Sequence, residues 1–174
     1  MVRSPSRSQN TYTEPSPLLG IYLNDHLAGS VAGLELARRM AKAHAGSAVG
    51  SALRPIAAEI AQDRAALLEI MSEFGIPARR YKVCAGWLTE KVTRLKSNGR
   101  LVRRSPLSTM VELETLRLGV EGKAAAWKAL RLLTDGGPRL DPEVLDLLLE
   151  RAEGQIQVLE ELRLQQAEAA FRGA

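Results

Sequence analysis

From Leu18 onward the apolar residues recur at three- and four-residue intervals, the period of a helix with one face against a core. No stretch alternates in the manner of a strand, so the pattern predicts an all-α chain. Breakers divide it into helices over about 18–45, 52–74, 78–97, 106–134 and 142–171. The first stops at Ala45-Gly46-Ser47. The second carries Pro55, which is read as part of its opening turn, where a missing N–H costs nothing, and it ends before Gly75 and Pro77. The third stops at Asn98-Gly99. Ser105-Pro106 and Asp141-Pro142 open the last two as cap followed by proline, and Asp135-Gly136-Gly137-Pro138 separates them.

Connection lengths then limit the topology. About six residues join the first helix to the second and the fourth to the fifth, so each pair is expected to form an antiparallel hairpin. Some thirty residues, from Gly75 to Ser105, link the two pairs and contain the short helix. In helix order, helix length and crossover position, residues 18–171 resemble the ferritin-like superfamily. The resemblance implies an antiparallel four-helix bundle with an additional short helix in the crossover. A four- or five-helix bundle of another connectivity is the alternative. Di-iron members of the superfamily use Glu-x-x-His, in which the i, i+3 spacing puts both ligands on one face. Here His26 and His44 both lie on the first helix, and the nearest relic, Glu59-Ile60-Ala61-Gln62, ends in glutamine. The resemblance therefore carries no metal ligand and no cofactor to this chain.

Helical phase selects the side chains that face inward. The stripe of the first helix is Leu19, Leu23, His26, Leu27, Ser30, Leu34 and Ala37, with Asp25 turned to solvent. The second presents Leu53, Ile56, Ala57, Ile60, Leu67, Met71 and Phe74, the fourth Leu113, Leu116, Val120, Ala124 and Trp127. The last presents Leu145, Leu148, Ala152, Gln155, Ile156 and Leu159. The inward polar set is His26, Asp63, Arg64, Arg117, Lys123 and Gln155, one carboxylate among three cations. Such a set repels a metal ion, and it suits a structural network in which Asp63 pairs with Arg64, Arg117 or Lys123. His26 reads as a hydrogen-bonded core histidine. Gly29, Ser30 and Gly33 read as small residues that let two helices approach closely.

Charge is distributed unevenly. Residues 79–104 carry nine Lys or Arg against Glu90, a net +8 in a chain of net +4, so the remainder sums to −4. Arg80, Trp87, Lys91, Arg94, Arg100, Arg103 and Arg104 form a candidate surface for nucleic acid or another polyanion, with Trp87 able to stack on a base. The bland reading is a solvated helix, or one facing the chain's own acidic surface. The helix over 106–134 also shows a second apolar face at Leu107, Val111, Leu118, Ala125, Leu132 and Leu133. That face needs a cover, and the crossover helix together with a homodimer partner is the expected one.

Composition narrows the function further. A single cysteine, Cys84, excludes an internal disulfide and any multi-cysteine zinc site, and it fits a reducing compartment. Its phase with Tyr81, Leu88, Val92 and Leu95 makes it a buried small hydrophobe. No apolar run reaches the roughly 18 residues of a membrane span. Residues 1–17 are rich in Ser, Pro and Arg without an apolar stretch behind them, so a disordered tail and a cytoplasmic location are expected. No catalytic constellation and no phosphate loop is legible. The expectation is a non-catalytic structural or interaction protein. The alternatives are polyanion binding through 79–104, or an enzyme or small-molecule binder with a polar pocket around Asp63, Lys123 and Gln155.

Overall fold

The computed structural model describes residues 16–79, 105–134 and 140–172. Among them are four helices and no strand: α1, Pro17–Ala43; α2, Ala48–Glu73; α3, Pro106–Arg131; and α4, Pro142–Arg172. The helix expected over 78–97 and the tail before residue 16 lie outside the described residues. So do Arg80, Trp87, Lys91, Arg94, Arg100, Arg103 and Arg104, the whole candidate polyanion surface.

The helix starts follow one local rule. Ser16, Ser47 and Ser105 cap α1, α2 and α3, each side chain accepting a backbone N–H of the first turn. Asp141 Oδ1 does the same for the Glu143 N–H at 2.9 Å. Prolines 17, 106 and 142 follow their caps, at positions where the absent N–H had no helical partner. At the far end of α2, Gly75 takes φ +68°. Its N–H reaches the Ser72 carbonyl at 2.9 Å, and the Ile76 N–H reaches that of Met71 at 2.8 Å. This is the two-bond C-terminal motif that glycine permits, and Ile76 is buried behind it.

Two expectations about α2 are corrected. The helix starts at Ala48, four residues before the expected 52, because Gly50 is not a breaker. A Cβ on Gly50 would stand 2.1 Å from the His44 carbonyl oxygen, so glycine lets the first turn of α2 pass the end of α1. Pro55 consequently lies inside the helix and not in its opening turn. Pro55 and Ser51, whose carbonyl would have received the missing N–H, are both exposed, so that carbonyl has access to water.

The expected inward stripes are the core. Leu23, Leu34, Ala37, Leu53, Ile60, Leu67, Leu113, Leu116, Trp127, Leu145, Leu148 and Leu159 are all buried in one cluster. Each fully buried Leu or Ile contributes about 1.5–3 kcal/mol through removal of apolar area from water. α3 packs on α4 most extensively and α1 on α2 next, while α1 meets α3 less and α2 meets α4 least. Specific pairs fix the ends. Asn24, 3% exposed, donates to the carbonyls of Gly20 and Pro77 at 2.8 and 3.2 Å and accepts the Arg79 N–H at 2.7 Å. It thereby pins the chain leaving α2 onto the start of α1. His44 at the other end of α1 lies 3.3 Å from the hydroxyl of Thr109 in the first turns of α3. Arg131–Asp146 at 2.9 Å ties the end of α3 to α4, and Arg117–Glu160 at 3.0 Å ties its middle.

Candidate functional site

The i, i+4 spacing that puts Glu59 and Asp63 on one side of α2 also puts Arg151 and Gln155 on one side of α4, and Lys123 of α3 reaches between them. Asp63 is 2% exposed. Its Oδ2 accepts from Lys123 Nζ. Its Oδ1 lies 3.1 Å from Arg151 Nη1, close enough for an ion pair but out of line for a hydrogen bond. Lys123 Nζ donates also to Gln155 Oε1 at 2.5 Å, and Gln155 Nε2 donates to Glu59 Oε2 at 2.8 Å. Arg151 completes the group by donating to Gln62 Oε1 at 2.9 Å. Two carboxylates thus meet two cations, with a glutamine between them. Burial lowers the pKa of the Lys123 ammonium, and the adjacent Asp63 carboxylate opposes that shift.

Of the six expected inward polar residues, the structure joins Asp63, Lys123 and Gln155 in this seam. Arg117 stands apart, 3.0 Å from both Glu121 and Glu160. Arg64 and His26 face a different interior. The inward set read from helical phase includes neither Arg151 nor Glu59. The signal that would have found them is the pair of matched i, i+4 polar positions on two helices of one bundle.

The second interior is a cavity of about 470 Å³ between α1, α2 and α3. Leu36, Ile60, Leu67, Leu116, Val120, Ala126 and Trp127 form its buried walls. Asp25, Gly29, Leu118 and Gly119 are its exposed members, and Arg64, Lys123, Asp63, His26, Ser30 and Thr115 supply polar groups. Its origin is local. A Cβ on Gly29, Gly33 or Gly119 would meet nothing within 4 Å, so these glycines leave space unfilled. The expected close approach at Gly29, Ser30 and Gly33 is therefore corrected: absence of side chains opens a cleft at these positions and does not bring two backbones together.

The polar groups of the cavity are unequally satisfied. The Ser30 and Thr115 hydroxyls donate back to the carbonyls of Leu27 and Val111 at 2.6 and 2.9 Å, which leaves their lone pairs free to accept. His26 packs edge-on against Tyr22 with centroids 4.5 Å apart. Burial lowers its pKa, with the Asp25 charge partly opposing, so the neutral ring is favoured. Trp127 is 2% exposed and its Nε1 has no partner in the protein, which is uncommon for a buried donor. Arg64 makes no ion pair or hydrogen bond among the described residues.

Nothing in either interior assembles a metal centre. Among the described residues no three His, Cys, Asp or Glu side chains come together as ligands would, and Asp63 and Glu59 already meet Lys123 and Gln155. No helix of the described residues is long and apolar enough to cross a membrane. No family model, curated protein or solved structure matches the chain.

Proposed function

We propose that the protein is a non-catalytic binding protein for a small, largely apolar molecule, held in the cavity between α1, α2 and α3. The observation that carries this reading is the combination of apolar walls, a volume of about 470 Å³ and a few convergent polar groups. Sites for small molecules fall at about 300–1,000 Å³ and have this composition. A cleft kept open by three glycines, at positions where larger apolar residues would be accommodated, favours a role for the space itself. The test is saturable thermal stabilisation by a small apolar compound, compared between the native chain and Gly33→Phe. Stabilisation that vanishes in a Gly33→Phe protein of native circular dichroism supports the reading. Stabilisation that is the same in both places the compound elsewhere and overturns it.

The bundle itself we read as ferritin-like in connectivity. The pairs 24–77 and 44–109, with 117–160 and 131–146, support antiparallel neighbours, with the end of α2 and the start of α3 against opposite ends of α1. A homodimer is a second reading, favoured by Leu107 and Leu118 on α3 and Leu132 and Leu133 just after it, which are 43–80% exposed. Light scattering on the full chain tests it: a monomer mass at high concentration rules out the dimer.

A further inference from the structure

We infer that the ligand of this cavity is a monocarboxylic acid with an apolar tail, its carboxylate received by Arg64. The inference rests on the cavity being a ligand site.

It begins with the charges. The seam of Asp63, Glu59, Lys123 and Arg151 is balanced within itself. Arg64 is left over: a half-buried guanidinium that lines the cavity and pairs with no carboxylate among the described residues. Asp63 and Lys123, which also line the cavity, are paired with each other, and Asp25 is exposed at the edge, where water screens it. A guanidinium has donors only, in a planar fork that matches the two oxygens of a carboxylate. A ligand that completes it must therefore bring acceptors, and the cation selects a negative one. The apolar walls, Leu36, Ile60, Leu67 and Val120 among them, accept a tail.

The experiment is isothermal titration of the full chain with decanoate, decan-1-ol and decylamine, which share a tail and differ in head group. Decanoate is expected to bind more tightly than decan-1-ol by about tenfold to a hundredfold, the range for a hydrogen-bonded charge pair. Arg64→Gln is expected to remove that advantage, so that decanoate and decan-1-ol bind the variant alike. Trp127, which lines the cavity, reports occupancy in parallel through its indole fluorescence. Equal binding of the acid and the alcohol overturns the carboxylate inference but leaves the cavity reading standing. Tighter binding of decylamine overturns it in favour of the Asp25 edge. A decanoate advantage that persists in Arg64→Gln also overturns it. Failure of all three compounds to bind, or binding that Gly33→Phe leaves intact, removes the cavity reading together with the inference.

Discussion

Lys123 divides the bundle into two interiors, one toward α4 and one toward α1, that are filled in different ways. Toward α4, every position between Asp63 and Gln155 is occupied by a side chain with a partner, and the carboxylates and cations balance. Toward α1, glycine stands at two positions of α1 and one of α3, and the cavity there holds a cation that is unpaired among the described residues. The hydrophobic pattern is the same on both sides. What separates a closed seam from an open cleft is the size of the residues interrupting the apolar stripe: long polar side chains that reach one another, or none at all. A buried charge network is weak evidence for net stability, since desolvation offsets much of the attraction, but removing one member exposes that cost directly.

The strongest way to break the comparison is therefore Asp63→Ala. It leaves the Lys123 ammonium and the Arg151 guanidinium beside a void with no carboxylate, and the expected loss is about 3–5 kcal/mol in urea unfolding. A loss below about 1 kcal/mol would mean the seam is wet and behaves as surface ion pairs do.

Glycine substitutions sharpen the other half. At Gly50 a methyl group would collide with the His44 backbone, which cannot rotate away, so Gly50→Ala should destabilise by about 1–3 kcal/mol or more as an overpacked site. At Gly33 the same change meets open space on a helix interior and should stabilise by about 0.5–1 kcal/mol through helix propensity alone. Opposite signs in the two unfolding midpoints separate glycine kept for contact from glycine kept for volume. If Gly33→Ala destabilises instead, the cleft is not open.

These same glycines mark the limit of what the sequence discloses. Apolar phase found every helix among the described residues and almost the whole core, because burying a three-to-four periodic stripe is a local requirement that each helix states for itself. Serine-proline and aspartate-proline pairs found two of the four starts for the same reason. The start of α2 was missed because Gly50 answers to the His44 carbonyl, a neighbour on another helix that no local pattern reveals. Gly29 and Gly33 were legible as small but not as space, since the spacing that brings two helices together also leaves a gap when the partner has glycine opposite, as α3 has at Gly119. Lys123 and Gln155 were correctly turned inward. Arg151 was missed because a long side chain at the edge of a stripe reaches an interior that its Cα does not face.

The smallest expected effect is electrostatic and lies on the cleft side. Folding buries part of the His26 ring against Tyr22, and this lowers its pKa below the ordinary 6.5. In the unfolded chain the imidazole takes up a proton as pH falls through about 6.5, while in the folded chain it resists until lower pH. The unfolded state then binds more protons, so acidification from about pH 7 to about pH 5 should reduce stability through this residue. Above about pH 7 both states are neutral and the contribution is flat. The Asp25 carboxylate moderates the effect by favouring the charged ring. His26→Gln removes the titration while keeping a polar side chain, and its urea midpoint should fall less than that of the native chain over the same range. A ligand carboxylate seated in the cavity would add a favourable charge near His26 and shrink the difference between the two proteins. Repeating the two titrations with saturating decanoate thus asks whether the cleft, like the seam, can be closed by a balanced pair, and a difference that decanoate leaves unchanged means that no such charge is near His26.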